Sequence, residues 1–250
     1  MAKKYAPKQK RELFKLIDDL SIKLGDIDTR YITDMSELFL NSTREDFTGI
    51  ESWNTEKVTS MRAMFYEARN FNENINKWNT SSVLDMQYMF KNATNFNQDI
   101  SSWNVNKVMD MSGMFEGASS FNQNIGSWNV GSVKTMFAMF KNATNFNQPL
   151  NKWNVSSVVN MNFMFKNATN FNQELDKWKV AKVQDMYKMF EGAKNFNYNI
   201  FIWDFENITL ENYIFGNSKT LSSNLRNDLS VKDFFIKIKN KFFGSKNRKD

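Results

Sequence analysis

Cysteine and histidine are absent from the 250-residue chain, and proline occurs only twice. The lack of cysteine excludes disulfides and thiolate metal sites. The lack of histidine removes the side chain that most often acts as a general base or binds a transition metal. The sequence also has no phosphate-binding loop motif and no nucleophilic serine motif. We therefore expect no enzyme activity, no catalytic residue, no metal and no cofactor.

The middle of the chain has little excess of either sign of charge. The net charge is +6, but residues 1–30 carry +3 and residues 221–250 carry +5, which leaves −2 for residues 31–220. A nucleic-acid-binding repeat protein would carry a basic stripe along its length, so we expect no nucleic-acid partner. Long apolar runs are absent too, and no segment is expected to span a membrane.

A period of 25 residues dominates what is present. Phenylalanines recur at this step from Phe71 to Phe196, as do the methionine–phenylalanine pairs from Met64 to Phe190. Such a period indicates a repeat array in which each unit packs against its neighbours. The seven tryptophans fall on the same period and are expected to form the core of the repeats: Trp53, Trp78, Trp103, Trp128, Trp153, Trp178 and Trp203.

The second half of each repeat predicts a short helix of about two turns. In the repeat from Ile100 to Asn124, Asp110 is a residue that often caps a helix N-terminus. Gly117 tolerates the left-handed conformation that often ends a helix. The apolar residues between them recur at i, i+3 and i+4, which places them on one helical face.

The first half of each repeat predicts a short strand. Trp103 and Val105 would point to one side, and Ser102 and Asn104 to the other. Together the two elements predict an α/β fold, a leucine-rich-repeat-like solenoid. It would have about eight turns, each with a short parallel strand and a short helix, and helical caps at both ends.

The array is expected to cover residues 24–217. Before it, residues 1–23 predict an N-terminal helical cap, because Leu13, Ile17 and Leu20 recur at helical spacing.

After the array, residues 218–243 predict a C-terminal capping helix, and residues 244–250 a disordered basic tail. The capping segment is amphipathic and rich in lysine. The alternative interpretation is therefore that it contacts an anionic membrane.

Two columns of asparagine follow the aromatic columns. The column after phenylalanine, as in Asn122, is interpreted as structural, with side chains that bond to the next turn. For the column after tryptophan, as in Asn104, a structural and a binding role both stay open. The outward positions beside the tryptophans vary between repeats and form the candidate binding face: Lys77, Ser102, Ser127, Lys152, Lys177, Asn76, Ser101, Asn151 and Asp176.

The repeat MF-x-x-A-x-x-FNQ-x-I-x-x-WN-V-x-x-V-x-x-M resembles that of BspA-like leucine-rich-repeat surface proteins of bacteria. The lead-in from Lys4 to Phe39 is similar to that of the same family, and the resemblance covers about residues 4–217. It implies a leucine-rich-repeat-like solenoid, a place at the cell surface or outside the cell, and a role in adhesion. It supplies no catalytic residue.

Two functions follow as hypotheses. The first is a non-enzymatic binding or adhesion solenoid, a monomer that presents a variable surface to an unknown protein or glycan. The second is a structural or intracellular scaffold, associated with a membrane through its basic C-terminal helix. The first residues show no apolar segment of a secretory signal, which keeps a cytoplasmic location open.

Overall fold

The computed structural model describes residues 3–200, 202–204 and 214. Within them, the only α-helix is α1, Lys10–Asp18, and two 3₁₀ turns cover Leu24–Asp26 and Ile50–Ser52. Turns and single-residue parallel bridges make up most of the remaining described chain. The predicted C-terminal helix of residues 218–243 and the tail of residues 244–250 lie outside the described residues.

Successive repeats stack on one another in parallel. The bridges join the residues that the sequence predicts as helix caps, at one bridge per repeat. The strand predicted at Trp103 and Val105 makes no such bridge, although both side chains are buried and Ser102 and Asn104 are exposed. The bridged column runs through Asp34, Ser60, Asp85, Asp110, Thr135, Asn160 and Asp185.

Backbone hydrogen bonds join the loop segments of neighbouring repeats, where a loop segment is the stretch 61–67 or its equivalent. Alternate N–H groups, from Met61 to Glu67, donate to carbonyl oxygens 24 residues further on, at 2.7–3.0 Å. N–H groups between them donate to carbonyl oxygens of their own repeat, as that of Met64 does to the carbonyl oxygen of Met61. The loop segments are therefore held together mainly through the main chain.

Two residues with positive φ interrupt each loop segment, four positions apart. Gly113 and Gly117 have φ of 57° and 71°, and Tyr88 and Asn92 have 56° and 57°. The second of each pair is the left-handed position that the sequence predicts. The first is not predicted, and an α-helix cannot pass through it. The described loop segments therefore form turns where the sequence predicts short helices.

Stacked aromatic rings fill the core between the repeats. The column from Phe65 to Phe190 has ring centroids 5.5–5.7 Å apart. The column from Phe71 to Phe196 has them 5.7–6.0 Å apart. Within a repeat, the ring centroids of the two phenylalanines are 3.7–4.1 Å apart. The two rings thereby fill the space between the loop segment and the rest of the repeat.

Each of the seven tryptophans makes the same contact with the preceding repeat. Its indole N–H donates to a backbone carbonyl oxygen at 2.9–3.2 Å, for example from Trp128 to Ile100. All seven side chains are buried. Burial and hydrogen bonding together explain the constancy of this column, because an indole in an apolar site needs a partner for its N–H.

The repeat register continues beyond the last tryptophan. Phe190 donates its N–H to the carbonyl oxygen of Ile214 at 2.8 Å, just as Phe165 donates to Met189. Ile214 is buried and takes the place of the second methionine of the loop segment.

The N-terminal segment covers the first repeat. Helix α1 buries Leu13 and Ile17, although Leu20, predicted on the same face, lies beyond the helix and is 68% exposed. Tyr5 forms a parallel bridge with Ile27.

A buried arginine connects α1 to the array through hydrogen bonds. The guanidinium of Arg44 donates to the carbonyl oxygens of Ile17 at 2.8 Å, Asp19 at 3.3 Å and Asp46 at 3.2 Å. The contacts to Ile17 and Asp19 satisfy carbonyl groups at the C-terminal end of α1, which have no partner within the helix.

Candidate binding surface

The sequence-predicted binding face lies along the tryptophan edge, the surface beside the tryptophan column. Its residues are exposed or half-buried, and several bond to the adjacent repeat. Ser102 donates to the carbonyl oxygen of Asn76 at 2.8 Å, and the N–H of Lys177 donates to Oδ1 of Asn151 at 3.0 Å. The edge therefore brings the predicted residues together, with part of their polar capacity already used between repeats. They are Lys77, Ser102, Ser127, Lys152, Lys177, Asn76, Ser101, Asn151 and Asp176.

The two asparagine columns have different roles. After phenylalanine, the side-chain oxygen of each asparagine accepts the N–H of the next, as from Asn147 to Asn122 at 2.9 Å. This confirms the structural interpretation of that column. After tryptophan, the side-chain oxygen bonds within its own repeat, as Asn129 does with the N–H of Gly131 at 3.2 Å.

The bridged column carries carboxylates that cap the loop segments. Oδ1 of Asp85 accepts the N–H of Gln87 at 2.9 Å, and Asp110 accepts that of Ser112 at 2.7 Å. Burial raises the pKa of Asp85 above its ordinary value, and the carboxylates of Asp110 and Asp34 add to that effect. Among the described residues, no group of carboxylates could hold a metal ion.

Paired charges run along the loop face, the surface formed by the outward side chains of the loop segments. Glu116 is buried, and its carboxylate oxygens lie 3.1 Å from Nζ of Lys91 and 2.8 Å from Nζ of Lys141. Although burial acts to lower the pKa of Lys91, the hydrogen bond and charge of Glu116 raise it.

A second charge group has the same composition of two lysines and one glutamate. Glu191 binds Lys166 at 2.6 Å and Lys188 at 3.2 Å. The hydrogen bond from Lys166 is the main reason that the pKa of Glu191 is lowered. Each group therefore keeps one positive charge that its glutamate does not neutralise.

Three aromatic side chains form a row on the loop face. Phe137, Phe163 and Tyr187 come from consecutive repeats, and their ring centroids are 5.7 and 5.3 Å apart. Phe137 and Phe163 are half-buried, while Tyr187 is 36% exposed. We call these three residues the aromatic row. Partly exposed aromatic side chains are common at recognition surfaces because they offer a large contact area with little conformational freedom to lose.

A family model described as "Mycoplasma protein of unknown function, DUF285" matches the chain over residues 33–144 and again over residues 122–228. The two matches together span well over half of the sequence. The chain belongs to the DUF285 family. A double match with a shared stretch is consistent with the repeated sequence. None of the curated proteins compared with this DUF285 chain matches it.

Two aromatic side chains of the DUF285 loop face occupy left-handed positions. Tyr88 and Phe163 have φ of 56° and 60°, where the intervening repeats have Gly113 and Ala138. A bulky residue in this conformation is destabilising by about 1–2 kcal/mol. The repeat keeps these rings on the surface in spite of that cost, which is a pattern often found at functional positions.

The sequence does contain a signal for the aromatic row, although our sequence-based binding face omits it. Phe137, Phe163 and Tyr187 fall outside the periodic aromatic columns that form the DUF285 core. In these repeats the periodic columns already fill the aromatic positions of the core, so an additional aromatic residue is expected outside the stack. In the part of the chain that the structure describes, no helix is long and apolar enough to cross a bilayer.

Proposed function

We propose that this DUF285 chain is a leucine-rich-repeat-like solenoid that binds a protein or a glycan without catalysing a reaction. The stacked repeats and their regular cross-repeat bonds support this fold. The BspA-like repeat pattern supports a role in adhesion at the cell surface. The observation that carries the proposal is the aromatic row, because it is an apolar, half-exposed surface whose side chains the stack does not need for its main-chain bonds.

The absence of catalysis is part of the proposal. The carboxylates of Asp85 and Asp110 already accept backbone N–H groups, which accounts for their presence at the cap positions. This supports a structural role for the acidic column.

The scaffold alternative has less support from the N-terminal end. In one form of the scaffold alternative, copies of the chain would join end to end. This would need an open first repeat, but α1 buries Leu13 and Ile17 there and Tyr5 pairs with Ile27. Membrane association through residues 218–243 remains a prediction for residues outside the described part.

Binding arrays test the proposed function directly. The full chain, labelled at a single site, would be applied to an array of extracellular proteins and an array of glycans, with heat-unfolded chain as the control. We expect saturable binding to a protein or a glycan that the unfolded chain does not show. Failure to bind saturably on both arrays would contradict the proposal.

A further inference from the structure

We propose that the groove between α1 and the first loop segment binds a basic, apolar peptide segment of a partner protein. The first loop segment is the stretch 35–41, and we call this space the N-terminal groove. Its cavity has a volume of about 420 Å³ and is lined by Phe14 of α1, by Leu20 after the helix, and by Leu38 and Leu40 of the loop segment. The groove shares no residue with the aromatic row, so it would be a second binding site.

The first loop segment has main-chain carbonyl oxygens without a partner. In the second repeat, the carbonyl oxygens of Met64 and Tyr66 accept N–H groups from the first repeat, as Met64 does from Phe39 at 2.8 Å. Leu38 and Leu40 occupy the equivalent positions in the first loop segment, and no described residue donates a hydrogen bond to their carbonyl oxygens. The array begins here, so no earlier repeat can supply the donors. Unpaired carbonyl groups at such an edge favour an added segment that brings N–H groups.

Apolar side chains beside this edge remain accessible. Leu20 is 68% exposed, Leu40 is 42% exposed, and Phe14 is only half-buried. Helix α1 covers the core of the first repeat with Leu13 and Ile17, but it does not cover these three side chains. A peptide that adds to an edge gains affinity from main-chain hydrogen bonds and specificity from contacts with its side chains. The N-terminal groove offers surface for both kinds of contact.

The charges of the N-terminal groove favour a basic partner. Asp18 and Glu37 line the groove, and both are exposed. Neither carboxylate forms an ion pair with another residue in the described part of the chain. The positive group of the lining, Arg44, is buried and already donates to three main-chain carbonyl oxygens. Lysine or arginine side chains of a bound peptide would therefore meet two carboxylates that are free to pair with them.

The array itself supplies a probe peptide. Residues 134–143, KTMFAMFKNA, contain the fifth loop segment and carry two lysines and no carboxylate. In the array, the N–H groups of Ala138 and Phe140 donate to the carbonyl oxygens of Asn162 and Met164 in the next repeat, both at 2.8 Å. A peptide of this sequence with blocked ends therefore has the donors, the apolar side chains and the charge that the groove requires. One control peptide is N-methylated at Ala138 and Phe140, and a matched control is N-methylated at the residue before each.

Two variants of the full chain test the location of binding. The groove variant, Asp18→Lys and Glu37→Lys, reverses the charge of the lining. Lysine occupies the repeat position of Glu37 at Lys188, with the same positive φ, so this change is compatible with the fold. The control variant, Glu56→Lys and Glu174→Lys, makes the same change in net charge at two exposed carboxylates outside the groove.

Fluorescence anisotropy of the labelled probe peptide, titrated with the full chain, measures the binding. We expect saturable binding of one peptide per chain, weakened at least tenfold in the groove variant and unchanged in the control variant. N-methylation at Ala138 and Phe140 should also weaken it at least tenfold, and the matched methylation should weaken it less. Binding should fall as the salt is raised from about 0.05 to about 0.5 M, because the carboxylates are exposed and screened. Melting temperatures of both variants should stay near that of the parent.

Three outcomes would overturn the inference. The first is equal affinity of the parent chain and the groove variant, and the second is equal affinity of the probe peptide and the peptide methylated at Ala138 and Phe140. The third concerns a second copy of the chain as the occupant, which sedimentation of the parent without peptide detects. We expect a monomer, and an assembly that grows with concentration and is lost in the groove variant would assign the groove to a second copy instead. None of these results bears on the aromatic row, whose proposed function the binding arrays test separately.

Discussion

At the tryptophan column a side chain joins one repeat to the next, whereas on the loop face the backbone does so. Trp128 reaches the carbonyl oxygen of Ile100 with its indole N–H, and the other tryptophans do the same. Between loop segments the bonds run from main-chain N–H to main-chain oxygen, as from Phe115 to Met139 at 2.9 Å. The contact between repeats therefore fixes the residue type at the tryptophan column. Between loop segments it fixes only the backbone conformation.

This difference leaves the loop face free to vary its side chains, as the proposed recognition surface requires. The first left-handed position of the loop segment has positive φ whatever its residue type. It is occupied by Tyr88, Gly113, Ala138, Phe163 and Lys188. Main-chain hydrogen bonds connect the repeats here, so the side chain at this position can be substituted without breaking those bonds. The tryptophan position has no such freedom.

The largest expected effect comes from removing a tryptophan. Trp128→Ala should lower the free energy of unfolding by about 3–5 kcal/mol, because it leaves a cavity in the middle of the stack. Phe163→Ala, on the loop face, should change it by no more than about 1 kcal/mol, since the ring is half-exposed and alanine already occupies the same left-handed position at Ala138. Urea unfolding measures both, and similar losses for the two variants would invalidate the comparison.

On the loop face, a substitution that disfavours the left-handed backbone conformation should lower the stability more than one that tolerates it. Gly117 has φ of 71°, and asparagine holds the same position at Asn92 and Asn142. Gly117→Val should cost about 1–2 kcal/mol more than Gly117→Asn, because a β-branched residue tolerates the left-handed region poorly. Thermal melts of the two variants would decide the matter, and equal melting temperatures would count against a left-handed residue at 117.

The asparagine columns should respond differently to truncation. Asn122→Ala removes the oxygen that accepts the N–H of Asn147 and an amide hydrogen of Gln148, and should cost about 1–3 kcal/mol. Its control is Asn129→Ala, which removes an exposed bond within one repeat and should cost about 0.5–1 kcal/mol. Chemical denaturation of both should show the larger loss at Asn122, and the reverse order would refute the assigned roles.

The smallest expected effect is a gain. Because burial raises the folded-state pKa of Asp85 above 3.8, its ionised form is disfavoured in the folded chain at neutral pH. Asp85→Asn keeps the cap, as Asn160 does with the N–H of Asn162, and removes the charge. Solvent screens this half-buried group, so the gain at pH 7 should be at most about 0.5 kcal/mol.

The pH dependence checks the sign of that gain. The cost of the ionised carboxylate falls as the pH drops through the raised folded-state pKa and is gone below 3.8. The stability difference between Asp85→Asn and the parent should therefore shrink over that range in a series of melts. A difference that grows on acidification would contradict the direction of the shift.

The sequence predicts those features that depend on a particular side chain. Through their residue types, Trp103 predicts a buried core position and Gly117 predicts a left-handed residue at the end of the loop segment. The earlier left-handed position has no such signal, because ordinary residues such as Ala63 and Lys188 occupy it. The i, i+3, i+4 pattern predicts a helix, but the loop also buries Met111 and its partners, so apolar spacing alone cannot separate the two.

The candidate binding surfaces show the same limit. Variation between repeats identifies the outward positions of the tryptophan edge, such as Lys152. It does not show that Ser102 uses its hydroxyl on the preceding repeat, or that rings from three repeats lie side by side, since both depend on how the repeats stack.

The cross-repeat bonds connect each repeat only to its neighbours, and this also determines how the array responds to tension. Each loop segment is tied to residues 24 positions further along the chain, and the aromatic columns step by 25. Traction on the two ends would therefore detach the repeats one after another. Each detached repeat would release roughly 80 Å of chain at about 3.3 Å per residue. Under tension an array of this design would lengthen in equal steps and dissipate work at each one, while the repeats still stacked keep their shape.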